Sequence, residues 1–192
     1  MNLPNKLTVS RLGLAGVFVV CFSVPVPFRY TAGFVTFLFA AGTDYLDGVL
    51  ARKHGLITDF GKLMDPLADK ILTASAFIYL AGTAIGGLRT FPEWAVIAII
   101  SREFLITGLR SLASSKGIVL PAERIGKHKT AWQMITIIYF LALLSLSEMT
   151  DAPWLRVLWN AGQDFLVPLT VILTVYSGLA YLTKNIKLIE TD

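Results

Sequence analysis

Four carboxylates, Asp44, Asp47, Asp65 and Asp69, stand close together in the chain beside Gly48, Gly61 and Arg52, at the junction of two strongly apolar segments. Helical geometry puts positions 44, 47, 48, 51 and 52 on one face of about 140°, and positions 61, 65, 68 and 69 on a face of about 100° of the next helix. Two helices joined by a short loop lie side by side and antiparallel, so these faces are expected to meet. Four like charges in a poorly hydrated place repel one another, and burial adds to the cost. A bound divalent cation relieves both. Oxygen-only ligands favour Mg2+, Mn2+ or Ca2+ over zinc, and one cysteine with two histidines makes no competing pattern.

The elements that must position these groups are membrane helices. The 192 residues are 55% hydrophobic and only 16% charged, with a mean hydropathy of +0.65, which predicts an integral membrane protein rather than a soluble one. Apolar runs with short loops leave no room for a separate soluble core, so a single domain over residues 1–192 is expected. Cys21 is the sole cysteine and excludes an intrachain disulfide. The net charge of +4 does not point to nucleic acid, because the basic residues are interspersed with apolar spans. Membrane lipids and a phosphorylated substrate fit that pattern better.

Six apolar segments, at about 6–25, 30–52, 61–83, 92–114, 128–147 and 156–183, approach the roughly 20 residues a bilayer span needs, and none alternates like a strand. The fold class is all-α: a bundle of six transmembrane helices. With both termini cytoplasmic, all but Arg29, Arg89 and Arg156 of the 17 basic residues lie at or near the cytoplasmic side, as the positive-inside rule requires. The aspartates then face the cytoplasm from the cell's inner membrane.

Along the first segment Asn5, Thr8 and Arg11 recur every third residue as a polar stripe. A signal peptide is the first alternative, but no small-residue cleavage site follows and five more spans do. Interfacial anchoring is the second. The functional reading turns the stripe toward the cavity of the aspartates. Pro66 fits a kink or a helix start. Lys70, next to Asp69, either pairs with a carboxylate or snorkels to headgroups, with snorkelling the simpler account. His54 reads as a residue of a solvated turn.

Arg102 and Arg110 lie about 80° apart around a fourth helix, close enough to line one side of a cavity. Glu103 could pair with Arg102 or with another segment as a purely structural bridge. A helix beginning at Gly126 would offer free N–H groups and Lys127 to a phosphate, whereas Lys116 and one of Lys127 and Lys129 suit lipid headgroups. The last apolar run contains Pro168 and is long enough to tilt or kink.

Written as D-x2-D-G-x2-A-R-x8-G-x3-D-x3-D, the stretch from Asp44 to Asp69 resembles the signature of the CDP-alcohol phosphotransferase family, with every fixed position filled. The opening Asn-Leu-Pro-Asn-x-Leu-Thr-x-x-Arg, the Ser-Arg-Glu…Thr-Gly-Leu-Arg element and Gly-Lys-x-Lys-Thr extend the resemblance over most of the chain. They are similar to bacterial members of the family that use CDP-diacylglycerol and sn-glycerol 3-phosphate. The resemblance implies transfer of a substituted phosphoryl group from a CDP-linked donor to an alcohol, with release of CMP, and a homodimer. It implies Mg2+ or Mn2+ held by Asp44, Asp47 and Asp65, with Asp69 the candidate general base that also touches metal. The CDP donor would be bound by Asn5, Thr8, Arg11, Asp44, Asp47, Gly48, Ala51, Arg52, Gly61 and Asp65. Arg102, Arg110, Arg124, Lys127 and Lys129 exceed what a neutral acceptor needs and suit an acceptor phosphate.

Within the family, inositol phosphate, serine, choline or phosphatidylglycerol are the competing acceptors. From another class, a divalent-cation transporter would also bury carboxylates, but near the midplane with a path to the far side. Here they sit toward one surface with Arg52 among them.

Overall fold

The structure is a computed structural model that describes residues 3–54, 59–85, 88–118, 120 and 124–185, without the side chains of 3–8, 44–54, 59–66, 69, 85, 88 and 124. Six helices account for nearly all of it: α1 (Leu3–Ser23), α2 (Arg29–His54), α3 (Asp59–Gly82), α4 (Glu93–Ser115), α5 (Arg124–Ser147) and α6 (Pro153–Asn185). A two-residue antiparallel ladder, β1 (Ala84–Ile85) and β2 (Leu88–Arg89), makes the turn between α3 and α4. The fold is all-α, as the apolar runs predict. At 1.5 Å per residue even the 21 residues of α1 reach about 30 Å. Ile125–Ser147 and Pro153–Asn185 are long and apolar enough to cross a membrane; Val9–Ser23 and Lys70–Gly82 are shorter apolar stretches.

Local sequence sets several of the helix ends. Pro92 precedes α4 with φ −68° and ψ 139°, and Glu93 places an acid in the first turn, where it favours the helix dipole. At the other end Gly117 takes φ 77°, and the Ile118 N–H donates to the Ala113 carbonyl at 2.9 Å, closing a Schellman turn. The start of α2 is closed from a distance. The Glu148 carboxylate, just past α5, accepts from Tyr30 N at 2.9 Å, Thr31 N at 2.8 Å and the Thr31 hydroxyl at 2.8 Å. A negative charge here satisfies free N–H groups at the positive end of the α2 dipole.

The core is aromatic. Phe18 on α1 is fully buried, with ring centroids 5.9 Å from Phe37 of α2 and 6.1 Å from Tyr79 of α3. Among the described residues, α2 and α3 pack on α1 far more than on each other. The sequence expectation that the two motif helices lie directly side by side is met only in part, because the bulk of Phe18 and Phe22 separates their apolar halves.

The helix starts differ from two of the alternatives that the sequence offered. Helix α3 starts at Asp59, ahead of Pro66, and α5 starts at Arg124, two residues before Gly126. Gly126 therefore lies within the first turn, whose N–H groups still lack intrahelical acceptors. Pro168 lies inside a continuous α6. On the outside of the bundle Phe39, Ile97, Val157, Phe165 and Ile172 are each more than 60% exposed. So many exposed large apolar side chains are unusual on a water-facing surface and ordinary on a lipid-facing one.

A polar seam joins α5 to α6. Gln133 donates to the Thr174 hydroxyl at 3.1 Å, and the hydroxyls of Thr136 and Thr170 lie 2.7 Å apart, all four groups buried. Such interhelical hydrogen bonds contribute about 0.6 kcal/mol each in membranes, so the seam fixes register more than it supplies stability. Gly162 of α6 sits against Tyr139 and Phe140, where an added Cβ would lie 3.0 Å from Phe140 Cζ. Close approach of these two helices therefore requires a glycine at that position.

Candidate functional site

The motif residues lie on neighbouring arms of the bundle. Asp44, Asp47, Gly48, Ala51 and Arg52 belong to the second half of α2, and Gly61, Asp65 and Asp69 to the first half of α3. Their side chains, with those of Asn5, Thr8 and Arg124, lie outside the described residues. The backbone runs of both helices continue through the motif, as the spacing predicts. Arg11 is the described member of the α1 stripe. It is 3% exposed, drawn into the bundle and engaged by neighbouring groups.

Immediately beyond Asp69 the chain enters a basic cavity of about 460 Å³. Lys70 reaches it from α3, Arg102, Glu103, Thr107 and Arg110 from α4, Lys127 and Lys129 from α5, and Ser177 and Tyr181 from α6. The sequence spacing of Arg102 and Arg110 placed both on one side of a cavity, and both line this one. Lys70 is half-buried against it. Lys70 lines the cavity together with Glu103.

The cations are held in different ways. Lys129 is 3% exposed, and its ammonium donates to Glu103 Oε1. Arg102 Nη1 donates to the same oxygen at 3.4 Å, a long contact. Glu103 thus bridges α4 to α5, and its main partner is Lys129 rather than its sequence neighbour. Arg110 donates from Nε to the Tyr181 hydroxyl at 3.1 Å and lies 5.2 Å from that ring's centroid. Hydrogen bond and ring face together aim its guanidinium while leaving other donors for an anion. Lys127 is exposed at the rim.

A second groove of about 530 Å³ shares Lys70, Thr107 and Arg110 with the cavity and continues past Ser111, Ser114 and Ser115. It gives a polar solute a hydroxyl-lined route along the end of α4. Single-sign charge in such a cleft concentrates anions.

Gly178, Tyr181 and Glu103, like Lys70, Thr107 and Ser177, are contributors that the residue pattern did not single out as site residues. A Cβ at Gly178 would lie 2.8 Å from Arg102 Cγ, so the glycine lets the arginine stem pass over α6. The signal was present: Thr170, Thr174, Ser177, Gly178 and Tyr181 recur at helical spacing through an apolar run, and all are buried. A polar, small-residue stripe on a membrane helix faces protein rather than lipid.

The four carboxylates that the spacing marks as candidate cation ligands, Asp44, Asp47, Asp65 and Asp69, fall two on α2 and two on α3, and oxygen-only groups of this kind suit a hard divalent cation.

Comparison with known proteins bears on all of these elements at once. The family model for CDP-alcohol phosphatidyltransferases matches residues 1–180. A CDP-diacylglycerol–glycerol-3-phosphate 3-phosphatidyltransferase of Bacillus subtilis is 37% identical, covering 100% of this chain and 98% of its own. Proteins of the same name from Pseudomonas fluorescens and Rickettsia bellii are 34% and 32% identical, covering 100% and 94% of this chain and 94% and 93% of theirs.

Proposed function

The chain belongs to the CDP-alcohol phosphatidyltransferase family, and from that premise we propose that it transfers the phosphatidyl group of CDP-diacylglycerol to sn-glycerol 3-phosphate. The products are phosphatidylglycerophosphate and CMP, a step in the synthesis of anionic phospholipid. The names of the similar proteins support this reading. The observation that carries it is the basic cavity beginning one residue after Asp69. Glu103 is one carboxylate among Arg102, Arg110, Lys127 and Lys129; a neutral alcohol would leave this excess of positive charge unbalanced, while a phosphomonoester balances it.

In the proposed mechanism, Asp69 accepts the proton of the acceptor hydroxyl as that oxygen attacks the lipid-bearing phosphorus of the donor. The bond from this phosphorus to the bridging oxygen breaks, and its electrons leave with CMP. Arg52 contributes a guanidinium fork to a diphosphate oxygen, and Gly48 and Gly61 let the nucleotide approach the helix backbones. Asn5, Thr8 and Arg11 of α1 complete the donor side. Arg110, steadied by Tyr181, and Arg124, Lys127 and Lys129 orient the acceptor phosphate. A divalent cation on Asp44, Asp47, Asp65 and Asp69, Mg2+ or Mn2+, would neutralise the charge that develops on the leaving CMP. No covalent enzyme intermediate is needed.

The same reading takes residues 1–192 as one membrane domain with six spans, both termini and the site cytoplasmic, in the inner membrane. It works as a homodimer, and the donor's acyl chains stay in the bilayer. The test is CMP release by purified protein in detergent with CDP-diacylglycerol, with or without divalent metal and with a panel of acceptors. Release that requires both metal and sn-glycerol 3-phosphate is expected. Equal release with inositol phosphate or a neutral alcohol would overturn the acceptor assignment.

A further inference from the structure

Two of the cavity's cations converge on one internal oxygen. Lys129 and Arg102, on different helices, both donate to Glu103 Oε1. Lys129 is almost wholly buried and the Glu103 side chain is 18% exposed, and both line the cavity. Arg102 Nε is buried and meets no acceptor among the described residues. The guanidinium thus keeps an unused donor beside a carboxylate that holds it only at long range. An ammonium so deeply placed needs a counter-anion whenever the cavity is empty, and Glu103 supplies it. A phosphomonoester entering the cavity would offer oxygens of the same charge and geometry to the same two donors, next to a carboxylate that repels it.

We propose that Glu103 is a built-in competitor of the acceptor phosphate, holding Lys129 and Arg102 in place while the cavity is empty and limiting how tightly a phosphomonoester is retained. This rests on the reading of the cavity as the acceptor site. Glu103 is then a positioning residue: it touches the cations and acts on the acceptor through them. A merely structural bridge makes a different forecast, because breaking it would loosen the helices without improving anion binding. Neutralising a competitor lowers stability and raises anion affinity together, since the anion now fills an otherwise unmet need.

The experiment measures the thermal unfolding midpoint of the full-length protein in detergent against inorganic phosphate concentration, for wild type, Glu103→Gln and Glu103→Asp. Glu103→Gln is expected to unfold at lower temperature without phosphate. Its phosphate stabilisation should be half-saturated at a concentration lower by about fivefold or more, the usual range of coupling between two sites. Glu103→Asp keeps the charge but withdraws it by one methylene, so its half-saturation should fall between the other two. This second variant carries the test should Glu103→Gln fail to fold. Half-saturation equal to or above wild type in the folded variants overturns the proposal. So does the absence of phosphate stabilisation in every protein, while CMP release by wild type decides separately whether the transferase reading stands.

Discussion

Asp69 closes the carboxylate motif and directly precedes Lys70, which lines the basic cavity. In sequence, the proposed general base thus stands between the proposed metal ligands and a residue of the basic cavity. Asp69→Asn is expected to lower CMP release by about 100-fold or more, the scale of general-base loss, with donor binding largely kept. Asp44→Asn should weaken metal and donor binding together, seen as a higher metal requirement in the same assay. Residual activity in Asp69→Asn equal to wild type would sink the base assignment. At this scale the motif was readable because its chemistry is carried by residue types at fixed spacing. Glu103 was readable only as a pairing choice, between Arg102 next to it and a group on another segment. The sequence separation of 26 residues to Lys129 hides a contact that only helix packing creates.

Elements are tied together here by polar contacts at their ends and seams. Glu148 is the clearest case, because one carboxylate closes the start of α2 from the far end of α5. Glu148→Gln keeps the shape but removes the charge, and is expected to cost about 1–2 kcal/mol of stability. The unfolding midpoint in detergent should fall, with CMP release per folded molecule unchanged; an unmoved midpoint would deny the cap. The stripe from Thr170 to Tyr181 marks the inward face of α6, and it was legible as a helical period. The insertion of Phe18 between α2 and α3 was not. A phenylalanine in a span looks the same whether it meets lipid or protein, since both are apolar.

At the scale of the whole molecule, large apolar side chains face outward as well as filling the core, while several hydroxyls, two amides and charged groups lie inside. The proposed topology places the end of α4 in the cytoplasm and the turn between α5 and α6 on the opposite side. In a Cys21→Ala background, Asp151→Cys should react with a membrane-impermeant maleimide in intact cells. Ser115→Cys should react only after the inner membrane is permeabilised. Both positions are exposed in the fold, so labelling reports sidedness rather than burial. The reverse pattern would invert the orientation read from the basic residues. The aspartates would then face away from the cytoplasm.

By itself the sequence determined the helical class, the approximate limits of the six helices, the family motif and the positive charge of the region that lines the cavity. Each of these follows from local period, residue chemistry or spacing along one helix. Tertiary structure alone decided that α1 parts the apolar halves of α2 and α3, that Glu103 holds Lys129, that Tyr181 steadies Arg110, and that Glu148 caps α2. These depend on how helices cross. Crossing is set by the summed packing of bulky and small side chains, such as Phe18 and Gly162, across many turns.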